Sequence, residues 1–318
     1  MKKTNSIIGR IADNKALLAI LIIMFIMLFP KTNFYTSYNF IDILNSSSVN
    51  MILGFGVTIV VIAGGCDLSI GGTLALSGIV TIKLMDKLGL IPAIIISLIL
   101  GAVIGFINGF FVVHQKTEPF IITLGMGMFL TGIAQELTDG RSVAGSLPSF
   151  QDIANTKLLF GITSLVVIML FMFVLTHYLM RYTQFGNNCY AIGGNYEVAR
   201  YSGIDVIKIK WLAFVLCGII AALAGVLQSA KLNSGSYVYG GPVAMLVNCG
   251  VVIGGVSFAG GIGSVPKAAI GLLMVGVLQG AMFMLNVQSY VQTLITGLVV
   301  ILVIWLDAYE LKVKRETV

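Results

Sequence analysis

Residues 43–85, ILNSSSVNMILGFGVTIVVIAGGCDLSIGGTLALSGIVTIKLM, hold two apolar stretches, 43–63 and 70–85, around a glycine-rich break. Stretches of this kind suit a bilayer core, which takes ~20 residues of helix to cross. Asp67 is the one acidic residue between them. A carboxylate at membrane depth is costly unless it is paired, solvated or capping. Its place just before Leu68-Ser69-Ile70 lets it accept from the free backbone N–H groups that open the second helix. Alternatively, Gly64 to Gly72 is a broken helix that exposes backbone and Asp67 to a water-filled path. Both readings can hold together.

Outward from this segment the apolar pattern repeats near 16–29, 90–113, 119–135, 159–180, 211–230, 243–259, 266–286 and 289–306. The 318 residues are 58% hydrophobic and 10% charged, with a mean hydropathy of +1.00, far from the mix of a soluble domain. An all-α integral membrane protein of about ten transmembrane helices follows, a single domain over 1–318 with Gly-interrupted helices. The N-terminal Met1-Lys2-Lys3 and the run Ala16 to Phe29 resemble a secretory signal, but no small-residue cleavage pattern follows. The run is therefore expected to be a retained first helix with Lys15 and Lys31 at its ends. With the N-terminus inside, the inner segments collect Lys2, Lys3, Arg10, Lys15, Lys116, Arg181, Arg200, Lys208, Lys210, Lys267, Lys312, Lys314 and Arg315. That majority of the 19 basic residues places both termini in the cytoplasm.

The same inventory excludes most chemistry. The net charge of +6 is topological, and no nucleic-acid partner is expected. Cys66, Cys189, Cys217 and Cys249 lack any C-x-x-C spacing, and His114 and His177 stand alone, so neither a metal centre nor a hydrolase triad is indicated. No Walker A pattern occurs. The chain is expected to be no enzyme and to bind no cofactor directly; any use of ATP and Mg falls to a separate chain.

Glycines at 101, 105 and 109, and at 250 and 254, repeat every fourth residue and favour close helix packing. The polar residues embedded in apolar spans are Asn108, Gln228, Asn248 and Gln279. With Asp67 and Ser69 they are the candidate substrate pathway, since amides offer donors and acceptors to a hydroxyl-rich solute; each also suits interhelical bonding. The longest inner loop, 181–210, contains Gly193-Gly194-Asn195-Tyr196-Glu197-Val198-Ala199-Arg200-Tyr201-Ser202-Gly203. Asn195 is suited to N-cap a short helix, Glu197 to its first turn and Gly203 to its left-handed end. Val198 and Tyr201 share a face, and Glu197 and Arg200 can pair. Such a helix suits docking of a cytoplasmic partner; an interfacial helix on membrane lipid is the alternative.

Four motifs in order, at Gly64 to Gly71, Pro119-Phe120-Ile121-Ile122-Thr123-Leu124-Gly125-Met126, Ala191 to Ile204 and Gly254 to Gly261, resemble the permease subunits of ribose/galactose-type ATP-binding-cassette (ABC) importers. The likeness runs from about residue 40 to the C-terminus. It implies a ten-helix subunit of the bacterial inner membrane, paired with a second permease copy as a homodimer or heterodimer. It also implies an ABC ATPase inside and an extracytoplasmic sugar-binding protein outside. By this resemblance Gly193, Gly194, Asn195, Glu197, Ala199, Arg200, Ser202 and Gly203 form the ATPase-coupling segment, and Asp67-Leu68-Ser69 lies near the pathway. The chain departs from the family pattern at Cys66, where Ile is usual, at Thr131, where Arg is usual, and near Ile262 and Ser264, where basic residues are usual. The expected function is import of a monosaccharide or related polyol by alternating access. The alternatives are an ion-coupled secondary transporter using Asp67, or an ABC permease for nucleosides or a furanose signalling molecule.

Overall fold

The computed structural model describes residues 15–30, 32–158 and 161–316. Lys2, Lys3 and Arg10, used above to orient the chain, and Lys31, at the end of the expected first helix, lie outside the described residues. Each of the ten apolar stretches overlaps a helix among the described residues. These are α1 (Lys15–Ile26), α2 (Ser37–Ile62), α3 (Ile70–Leu88), α4 (Leu90–Val113) and α5 (Pro119–Leu137), then, after the short α6 (Pro148–Asn155), α7 (Ser164–Tyr182). Two short helices, α8 (Gln184–Gly194) and α9 (Tyr196–Tyr201), lead into α10 (Val206–Leu232), α11 (Val243–Ile253), α12 (Val265–Met284) and α13 (Ser289–Glu316). Six of them, α2, α4, α5, α7, α10 and α12, are long and apolar enough to cross a membrane.

Helix α2 begins six residues before its apolar stretch. Thr36 caps it, accepting from Asn39 N–H at 3.3 Å, and its first turns carry Asn39, Asp42, Asn45 and Ser46 to Ser48, which dilute the hydropathy without weakening the helix. The expected stretch 243–259 is shorter as a helix, because α11 stops at Ile253 and the glycine-rich segment to Ser264 is irregular.

Helix α10 is the central post, packed along α4, α3 and α2. A β-carbon at Gly101, Gly105 or Gly109 would run into Gly218, Phe214 or Trp211 of α10. These glycines therefore do the packing work read from their spacing. Trp211 donates its indole N–H to the Phe106 carbonyl at 2.8 Å. Helix α3 runs parallel to α10, with Leu74 beside Gly225 and Gly78 beside Ser229. At the end of the bundle where α10 finishes, strand β1 (Val143–Ala144) pairs antiparallel with β2 (Ser234–Gly235). Asn155 of α6 closes that end by donating to the Lys231 carbonyl at 3.1 Å. The opposite end carries α8 and α9.

Helix α8 was not expected; its glycines and paired asparagines read as loop. It forms because Thr183 caps it and because Cys189 and Ile192 turn inward and are buried. Burial pushes the Cys189 thiol up to about 12, so almost none of it is thiolate near neutrality. Iodoacetamide at pH 8 is expected to leave Cys189 unmodified in the folded protein and to alkylate it after denaturation. Mass spectrometry of the peptide reads both states, and labelling of the native protein would overturn its buried placement.

Candidate solute pathway and coupling segment

Between α2 and α3 the chain is not helical from Ala63 to Ser69. It turns at Gly64, whose φ of 73° suits glycine, and then climbs back into the bundle. Asp67 ends up beside Cys217 of α10. At about 1.5 Å per residue, Cys217 lies about 16 Å into α10, so the extended segment sits well inside the bundle.

Asp67 is 1% exposed, and its Oδ1 accepts from the Ser69 N–H at 2.8 Å and from the Ser69 hydroxyl at 2.6 Å. Asn108 of α4 donates to the Ser69 hydroxyl at 2.8 Å. Asn248 of α11 donates to the Asp67 carbonyl at 3.0 Å, and Thr123 of α5 accepts from the Leu68 N–H at 3.0 Å. Three helices, α4, α5 and α11, thus bond an irregular segment that would otherwise carry unpaired groups at depth. Of the sequence candidates, Asp67, Ser69, Asn108 and Asn248 meet here. Gln228 and Gln279 do not. Gln228 lies about 16 Å further along α10, while the neighbours of Gln279, Gly276 and Gly280, face Ser47 and Ile43 near the start of α2. Both amides are half-buried, and neither joins the network. Thr123 was overlooked, although it stands in a quoted motif, because a threonine in an apolar helix usually bonds its own preceding turn, as this one also does to Pro119.

A second interruption faces the first. After β2, a 3-10 turn (Tyr237–Gly240) leads through Pro242 into α11, and the backbones of Gly71 and Gly240 touch so closely that neither position has room for a β-carbon. Alongside this crossing opens a groove of about 550 Å³ between α3, α5 and α11. Its walls include Gly72, Gly127, Thr131, Gln135, Gly241 and Met245, and none of the residues lining it is charged. Volumes of this order hold small ligands.

The candidate coupling segment has the expected local form. Asn195 caps α9, accepting from Val198 N–H at 3.1 Å, and Gly203 takes a φ of 82°. Ala199 is buried with Ile192 and Val206, which pins the helix to its flanking elements. Glu197, Arg200 and Ser202 are exposed, and Ser202 bonds back to the Val198 carbonyl at 2.8 Å. The expected Glu197 to Arg200 pair is not formed among the described residues; a fully solvated pair gains little.

The candidate coupling segment and the Asp67 turn are joined by backbone. Gly261 N–H donates to the Ile62 carbonyl at 2.9 Å, and Gly193 packs on both residues with no space for a side chain. Lys210 adds a bond to the Gly64 carbonyl at 3.2 Å. Three motifs far apart in sequence, at Gly64, Gly193 and Gly260-Gly261, thus form one junction.

Comparison with known proteins agrees with this architecture. Residues 39–304 match the family model described as the permease component of the branched-chain amino acid transport system. The chain belongs to this permease family. Among relatives, the ribose import permease protein RbsC of Escherichia coli K12 is 34% identical over 93% of each chain. The D-allose transport system permease protein AlsC of the same organism is 35% identical over 92% of this chain and 89% of its own, and the L-arabinose transport system permease protein AraH is 30% identical over 98% and 96%. No solved structure matches the chain. The protein is a multi-pass membrane permease subunit.

Proposed function

We propose that this permease imports a monosaccharide or a closely related polyol, as the membrane half of an ATP-driven transporter. The observation that carries the sugar reading is the uncharged groove beside the Gly71–Gly240 crossing. A sugar needs only hydroxyl and amide groups such as those of Thr131 and Gln135, with apolar surface for its C–H faces. The names of the ribose, allose and arabinose relatives support the same substrate class.

In this reading the chain crosses the bacterial inner membrane ten times with both termini in the cytoplasm, and α8 and α9 face inward. A separate ABC subunit hydrolyses ATP with Mg and docks on α9. An extracytoplasmic binding protein delivers solute at the β1–β2 end, and a second permease copy completes the path. The Asp67, Ser69, Asn108 and Asn248 network shapes the wall of that path. Movement of α9 then reaches the wall through the Gly193 junction.

The test uses two exposed positions of the docking element. Gly203→Val forces a left-handed residue to carry a β-branched side chain, at a cost of about 1–3 kcal/mol, in open space. Glu197→Lys reverses a charge in the first turn of α9. Both variants are expected to insert normally, to lose most ATP-dependent sugar uptake, and to recover less of the ATPase on mild-detergent purification. Normal uptake in both would overturn the docking role.

A further inference from the structure

The irregular segment between α11 and α12, Gly254 to Ser264, presents Phe258 and Ile262 outward, 41% and 58% exposed. The segment is built as a compact turn. Ser257 N–H donates to the Ile262 carbonyl at 3.0 Å, Gly260 N–H donates to the Ser257 carbonyl at 3.0 Å, and Ala259 N–H bonds the Ser257 hydroxyl at 3.2 Å. Gly260 and Gly261 hold φ values of 85° and 70°, which fix the direction of the two apolar side chains. Irregular backbone does not face lipid hydrocarbon, so this turn lies where water or protein surrounds it. Two large apolar side chains held outward there mark an interaction surface.

The turn is also fastened to the coupling segment. Gly261 packs on Gly193 and Gly194, directly before the α9 cap at Asn195, and Tyr190 of α8 donates its hydroxyl to the Gly263 carbonyl at 3.0 Å. On α9 itself Val198 and Tyr201 stand 60% and 86% exposed. We infer that the ATPase subunit docks on a bipartite surface, with α9 as one leg and the Phe258 to Ile262 turn as the other. This inference rests on the proposed docking of α9 and extends it to a second segment. Because Gly261 is bonded to the end of α2, the second leg meets the partner at the same junction that holds the Asp67 turn. A push on it reaches Ile62 directly.

Photo-crosslinking in the intact transporter, expressed with its own partner subunits in its native membrane, tests this. Benzoylphenylalanine is placed singly at Phe258, Ile262, Tyr201 and, as a bundle-surface control, Ile99 of α4. Adducts identified by their P-loop peptide are expected at 258, 262 and 201 and not at 99. Phe258→Ser with Ile262→Ser is expected to weaken ATPase binding about ten-fold, the scale of losing an apolar anchor, while the purified subunit keeps its melting temperature. Adducts at 201 with none, or lipid alone, at 258 and 262 would overturn the second leg and leave the proposed function standing. No ATPase adduct at any of the three positions would overturn both.

Discussion

Gly193→Ala is expected to abolish uptake and to destabilise the permease by about 3 kcal/mol or more, combining overpacking with the loss of a buried backbone bond. The added methyl group would fall on the Ile62 carbonyl oxygen and the Gly261 nitrogen, the two atoms that bond each other at 2.9 Å. Neither side has freedom to retreat. Ile62 is fully buried at the end of α2, and Gly261 is held in a left-handed turn between Gly260 and Gly263. Gly194→Ala, one residue on, meets nothing within 4 Å and is expected to leave the melting temperature unchanged. Thermal unfolding of the two purified variants checks the contrast. Equal melting temperatures would show that the junction is looser than its backbone contacts require.

This junction also marks where sequence reading stops. The helices were legible because apolar length is a property of local sequence, and the break at Gly64 was legible because glycine pairs interrupt helices. The convergence of Gly64, Gly193 and Gly260 was not, since it joins segments more than 60 residues apart that carry no complementary charge or pattern. The site was half legible for a related reason. Asp67 bonding to Ser69 is local chain geometry and could be read directly. Which amides would join them depends on the rotation of helices that are apolar nearly all round, so their periodicity gives no face. Asn108 and Asn248 turn toward Asp67, whereas Gln228 and Gln279 do not. Helix α8 was hidden because its inward residues are few and its glycines are those of a loop.

The second large effect separates capping from charge at Asp67. Asp67→Ala removes the acceptor of the Ser69 N–H and of the Ser69 hydroxyl, both buried, and loosens the hydroxyl that Asn108 bonds. Each unmade buried bond costs about 1–3 kcal/mol, so the extended segment loses its anchor and uptake is expected to fall by at least about ten-fold. Asp67→Asn behaves differently. Its carbonyl oxygen takes the place of Oδ1 and keeps both Ser69 bonds, while its amide faces the Cys217 sulfur, a weak acceptor. Asn at 67 is therefore expected to keep most of the ATP-driven uptake. An ion-coupled transporter would give the opposite result, because the amide cannot carry a proton or hold a cation as a carboxylate does. Uptake by reconstituted Asp67→Asn permease with its partners, measured with ATP and then with an ion gradient alone, decides between them. A folded Asn variant as inactive as the Ala variant would place a charge requirement at residue 67, and gradient-driven uptake by the unaltered chain alone would then remove the ATPase from the mechanism.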